Sequence, residues 1–176
     1  QNVFYNNVFR NGSYGIYLRG YGSSSDSRET GLKIDSNRFA DQSYAGISLY
    51  YQENALISNN EVHSNSGNDF RGIQLDYSYA GNRIEKNLID LESGRYGILL
   101  DDVNGFDGQP TLVANNFITI GGNDEAYGIY LSSSDRQKVV YNSVLVTSTD
   151  TSYGRAFYLN YSDDLQIYNN IFANNG

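Results

Sequence analysis

One short pattern returns through the whole chain and limits its architecture more than any other feature. It reads apolar, any, apolar, two polar residues, asparagine, any, apolar. Leu32-Lys33-Ile34-Asp35-Ser36-Asn37-Arg38-Phe39 is one copy. Others run from Ala55 to Val62, Asn82 to Ile89, Thr111 to Ile118, Lys138 to Leu145 and Leu165 to Phe172, and a partial copy ends at Val8-Phe9. Aligned this way, the anchor positions are Asn7, Asn37, Asn60, Asn87, Asn116, Ser143 and Asn170, at spacings of 30, 23, 27, 29, 27 and 27. Repetition at such a period means stacked units that complete one another's core.

A second pattern falls between successive anchors. It reads Gly15-Ile16-Tyr17-Leu18, Gly46-Ile47-Ser48-Leu49, Gly72-Ile73-Gln74-Leu75, Gly97-Ile98-Leu99-Leu100, Gly128-Ile129-Tyr130-Leu131 and Ala156-Phe157-Tyr158-Leu159. Apolar residues alternate within it, as in a strand with one buried face. Stacking in register gathers Ile16, Ile47, Ile73, Ile98, Ile129 and Phe157 into one column. A leucine-rich-repeat horseshoe needs leucine three residues before the first apolar position. Here those positions are Glu29, Gln52, Tyr79, Gly108, Asp135 and Ser162. A β-propeller blade is longer than this period.

These motifs resemble right-handed parallel β-helix repeats of the pectate-lyase-like superfamily, also described as carbohydrate-binding and sugar-hydrolase repeats. The resemblance covers essentially the whole chain. It implies an all-β, right-handed parallel β-helix, a single-stranded solenoid of about seven rungs with an asparagine ladder. The Asn-aromatic style also resembles large secreted surface proteins of bacteria. The chain is expected to be one domain over 1–176, a piece of a longer secreted protein, acting outside the cell or at a bacterial cell surface. An amide can donate and accept at once, so stacked asparagines can bond one another and the corner backbone. Their reading is structural.

Composition narrows the partners. The net charge is −8 and no Lys/Arg cluster is visible along the sequence. Nucleic acid is therefore not expected. No run approaches 18 apolar residues, so no membrane span is expected. A polysaccharide or other surface glycan is easier to accommodate, together with neighbouring rungs or domains of the parent protein. There is no Cys, and the single histidine, His63, argues against a zinc site. No cofactor is expected beyond a possible Ca2+.

Alternation sends Tyr17, Ser48, Gln74, Leu99, Tyr130 and Tyr158 outward, and two residues on Arg19, Tyr50, Asp76, Asp101, Ser132 and Asn160. Aromatic rings stack on sugar faces while amides and acids take hydroxyls. Tyr17, Tyr50, Gln74, Tyr130, Tyr158 and Asn160 are the candidate ligand-binding set. Asp76 and Asp101 fall at the same position on adjacent rungs, and Asp102 follows. Such a pair invites a hard cation, one raised pKa or plain solvation. Asp76 and Asp101 are thus the candidate calcium ligands, and with Asp102 the candidate catalytic acids. The resembling enzymes use acids on this kind of face to hold calcium or to act as an acid/base pair, with Arg71 and Arg95 the nearest basic residues. The segment Asp101 to Gly108 reads as a protruding turn and Ser23 to Glu29 as a corner.

The residues after the anchors, Leu88, Phe117, Val144 and Ile171, form an apolar row that alternation places outward, a candidate interface. Corner geometry could instead turn it inside. Two functional readings stand. One is a noncatalytic rod of a secreted or surface protein, adhesive or glycan-contacting. The alternative is a polysaccharide lyase or glycoside hydrolase.

Overall fold

The computed structural model describes residues 1–22, 27–67, 69–150 and 152–176. It is a parallel β-solenoid of about six turns. Three strands make each turn. First strands, Val3–Tyr5, Lys33–Asp35, Leu56–Ser58, Arg83–Glu85, Thr111–Ala114, Gln137–Val140 and Gln166–Tyr168, form one seven-stranded sheet. Second strands, Val8–Arg10, Arg38–Ala40, Glu61–Ser64, Leu88–Leu91, Phe117–Ile120, Ser143–Val146 and Ile171–Asn174, form another. Third strands, Tyr14–Arg19, Ala45–Tyr50, Arg71–Asp76, Tyr96–Asp101, Ala126–Ser132 and Gly154–Asn160, form a six-stranded sheet. The asparagine motif supplies the first two strands of each turn and the glycine motif the third. Seven copies of one and six of the other give about six full turns rather than seven.

The expected core forms. Ile47, Ile73, Ile98 and Ile129 stack in register and are fully buried, and so are Leu49, Leu75, Leu100 and Leu131 below them. Ile34, Ile57, Ile84, Val113 and Val139 fill the cylinder from the first sheet. Phe39, Val62, Ile89 and Ile118 fill it from the second. Branched and aromatic side chains suit these half-buried pleats.

The asparagine ladder is continuous, with one change of member. Each rung's Asn Nδ2 donates to the Oδ1 of the next, from Asn7 to Asn37, Asn60, Asn87, Asn116, Asn142 and Asn170, at 2.9–3.1 Å. Backbone N–H groups of the same residues donate to the same oxygens. The sixth member is Asn142, not Ser143. The residue before each ladder asparagine takes a left-handed turn: Asn6, Ser36, Asn59, Lys86, Asn115, Tyr141 and Asn169 all have φ between 54° and 58°. Tyrosine occupies that corner in the sixth copy, where a small polar residue would have marked it, and the surrounding valines suit either register. The correction moves Val144 one place, from the outward row into the core, where it is 2% exposed.

The glycine column answers to close approach rather than to unusual dihedrals. A Cβ added to Gly97 would sit 2.5 Å from the Gly128 carbonyl oxygen and 2.6 Å from Ile118 Cγ2. The acid- and glycine-rich segment after Asp101 ends in a tight reversal in which Phe106 and Gln109 exchange backbone bonds of 3.2 and 2.9 Å. Of the expected serine-rich corner, Ser23, Ser24, Ser25 and Asp26 lie outside the described residues. Among the described residues no helix is long and apolar enough to cross a membrane.

Asn87 satisfies Asn60 N–H and Nδ2 above and reaches Ile57 O and Asn116 Oδ1. Asn87→Ala leaves several buried groups unpaired at about 1–3 kcal/mol each, so a loss of about 3–5 kcal/mol in urea unfolding is expected. Ser143→Ala, outside the ladder, is expected to stay within about 0.5 kcal/mol of the parent. The reverse order would contradict the register.

Candidate functional site: the tyrosine face of the third sheet

The third sheet carries both outward columns read from the sequence, in the expected register. Tyr17 pairs with Ser48, Ser48 with Gln74, Gln74 with Leu99, Leu99 with Tyr130 and Tyr130 with Tyr158. Arg19, Tyr50, Asp76, Asp101, Ser132 and Asn160 follow in the same way. The face is not the open surface that alternation implies. Ser48, Gln74, Leu99 and Asp76 are buried, and Asp76 is only 5% exposed.

A third outward row lies on the same sheet. Each glycine of the repeat faces inward, as a Cβ built on Gly15 would meet the Phe39 ring inside the cylinder. The following isoleucine faces inward too. Alternation therefore breaks at the glycine, and the residue before it turns outward. Tyr14, Arg71, Tyr96, Tyr127 and Arg155 occupy that position, with Tyr44 one residue earlier on its rung. They stack along the rod axis. Tyr14 and Tyr44 rings are 5.0 Å apart, and the Arg71 guanidinium lies 4.2 Å from Tyr44 and 5.9 Å from Tyr96. Tyr96 and Tyr127 stack at 5.5 Å, and Arg155 sits 5.6 Å from Tyr127. This row leans on the first: Tyr14 on Tyr17 at 5.1 Å, Tyr96 on Tyr130 at 5.3 Å and Tyr127 on Tyr130 at 5.1 Å. Offset and edge-on rings, with cations over faces, are favourable arrangements. The signal was in the sequence, as an aromatic or arginine before most of the motif glycines, but strict alternation assigned those positions to the inside.

The polar centre lies between two aromatic clusters. Gln74 Nε2 donates to Asp76 Oδ2 at 2.7 Å. Burial pushes the Asp76 carboxyl up from 3.8 to about 7; the Gln74 hydrogen bond opposes this, Asp101 reinforces it, and Arg71 and the Tyr50 hydroxyl oppose it weakly. Burial, and then the neighbouring Asp76, push Tyr50 up to about 12. Arg71 Nε, Arg71 Nη1 and Gln74 Oε1 are buried with no hydrogen-bond partner among the described residues. Buried polar atoms usually find partners, and unsatisfied ones gather where something else binds.

The remaining expected residues fall as follows. Asp102 lies past the strand, in a left-handed corner row with Tyr51, Tyr77, Ser133 and Tyr161, and its Oδ1 accepts from Asn104 Nδ2 at 3.0 Å. It belongs to the corner rather than to the face holding Asp76 and Asp101. Tyr17, Tyr50, Tyr130, Tyr158 and Asn160 reach the surface of the face, whereas Gln74 is its floor. Leu88, Phe117 and Ile171 do form an exposed outward column, with Phe117 53% exposed, but Ser143 stands in it where Val144 was expected.

A sequence model of the family described as periplasmic copper-binding protein (NosD) matches residues 1–176. The chain belongs to the NosD family. No curated protein and no solved structure matches it. Copper was not among the expectations, which went no further than Ca2+. Copper sites are built from thiolate, thioether and imidazole ligands. This NosD chain has no Cys, no Met and one histidine. That histidine, His63, is partly exposed, with Nδ1 3.6 Å from Asp90 Oδ2. Among the described residues no three His, Cys, Asp or Glu side chains come together as a metal site. The residues present do not fit a copper centre.

Asp76 gives a signed pH dependence. Between 3.8 and about 7 the folded chain keeps a proton that the unfolded chain releases, so stability falls as pH rises through that window and levels off above it. Asp76→Asn removes the effect. Its stability relative to the parent is expected to rise by about 2 kcal/mol between pH 5 and pH 8 in paired urea titrations. An unchanged difference would show that Asp76 ionises normally.

Proposed function

We propose that this β-solenoid is a noncatalytic rod acting outside the cytoplasm, and that its third-sheet face contacts glycans. The observation that carries the reading is the spacing of two tyrosine platforms along the third sheet. Tyr14, Tyr17, Tyr44 and Tyr50 form the first, and Tyr96, Tyr127, Tyr130 and Tyr158 the second. Four rungs separate Tyr17 from Tyr130, or about 19 Å at strand spacing. Between them lie the amide of Gln74, the carboxyls of Asp76 and Asp101 and the guanidinium of Arg71. Rings to stack on, with amide and acid groups between them, suit an extended oligosaccharide lying along the axis. The family's description as periplasmic supports a place of action beyond the cytoplasm.

One observation favours the alternative, a polysaccharide lyase or glycoside hydrolase. A carboxyl held near neutrality beside a second carboxyl is how acid/base pairs are tuned. The placing of the surface grooves weighs against it. Neither acid lines the surface grooves near Phe106, Asp69 or Tyr141.

An oligosaccharide panel screened for binding, followed by calorimetry on the best binder, tests the proposal. Tyr17→Ala and Tyr130→Ala are each expected to weaken binding about 2- to 10-fold, the range for loss of one stacking contact. Their circular dichroism should match the parent. No binding across the panel would end the glycan reading. Release of reducing ends or unsaturated products, abolished in Asp76→Asn and Asp101→Asn, would establish the enzymatic one instead.

A further inference from the structure

The chain has three lysines, Lys33, Lys86 and Lys138, spaced 53 and 52 residues apart. Folding brings all three to the first sheet. Lys33, Arg83 and Lys138 share one outward column, alternating with Leu56 and Leu112 on the rungs between. Lys86 stands at the left-handed corner that follows Arg83–Glu85. Arg83, Lys86 and Lys138, but not Lys33, border a groove of about 380 Å³ with Tyr141 and Tyr168. The two rings are 6.4 Å apart and nearly perpendicular, at 84°. The Lys138 ammonium lies 5.6 Å from the Tyr168 ring centre, and the Tyr168 hydroxyl raises its pKa further. One carboxylate, Glu85, borders the groove, and it is already bound to Arg83 at 2.8 Å.

Three cations against one engaged acid stand out on a chain of net charge −8. The geometry points to a binding site for a saccharide unit bearing one negative group, with Lys86 and Lys138 taking the anion and Tyr141 and Tyr168 the sugar faces. Cations and exposed rings meeting in one concavity are the pairing that a charged sugar needs. Nucleic acid fits less well. Its charges recur every ~3.4 Å along a strand, whereas cations in this column recur on every second rung, and the rest of the chain is acidic. The groove is on a different sheet from the tyrosine face, so the two readings stand or fall separately.

Calorimetry with four probes tests the inference: a galacturonate trisaccharide, its carboxyl-reduced neutral counterpart, a sulfated chondroitin tetrasaccharide and a thymidine oligonucleotide. The parent protein, Lys86→Gln/Lys138→Gln and Lys33→Gln, a lysine of the same sheet outside the groove, are compared at low and high salt. At least one charged saccharide is expected to bind in a salt-sensitive way, at least tenfold tighter than the neutral sugar. Whether carboxylate or sulfate is preferred identifies the group. The double variant should lose at least tenfold with an unshifted thermal transition, and Lys33→Gln should bind like the parent. Equal binding of the neutral sugar, parent-like affinity in the double variant, an equal loss in Lys33→Gln or no charged saccharide bound would overturn it. Equal or tighter binding of the oligonucleotide would overturn it in favour of nucleic acid.

Discussion

Every other feature of this rod depends on stacking in register, and the asparagine ladder holds that register. Parallel strands alone could slide. A one-residue slip would turn each core column to the outside. The ladder prevents it because each asparagine bonds both the backbone N–H and the side-chain amide of the preceding rung, in a buried place where an unpaired group is costly. The left-handed residue before each asparagine aims it inward. Insertions of different length then loop out at corners without disturbing the stack, which is why spacings from 23 to 30 residues are tolerated.

Strict register turns a sequence repeat into columns, and columns concentrate chemistry. Residues some 25 residues apart become neighbours one rung apart. On the third sheet this gathers tyrosines into two clusters and places Asp76 beside Asp101. Inward glycines then add a third outward row of tyrosines and arginines to the same sheet. The same principle on the first sheet collects the lysines. The NosD match agrees with the rod, while the copper in the family's description finds no matching ligand set in this chain.

The core and the Asp76–Asp101 register were readable because a two-residue alternation and a repeated anchor suffice to place them. Three things were not. Asn142 was passed over for Ser143 because Tyr141 occupies a left-handed corner that small polar residues usually mark. With it went Val144, which the true register buries. The row from Tyr14 to Arg155 was hidden because glycine breaks alternation, and only the close approach of the next rung's carbonyl shows why. The basic groove was invisible because Arg83 and Lys86 on one side and Lys138 and Tyr141 on the other lie some 50 residues apart and form no local basic run.

The sequence by itself determined the solenoid, its polar ladder and which residues share a column, since these follow from period, alternation and the hydrogen-bonding capacity of one amide. Only the tertiary structure decided which columns meet solvent. Burial depends on what neighbouring rows fold over, and that is set by inward glycines and by ring and guanidinium packing between rungs. Asp76 was legible as a stacked acid; that it is buried, bonded to Gln74 and raised to a pKa of about 7 was settled by tertiary packing.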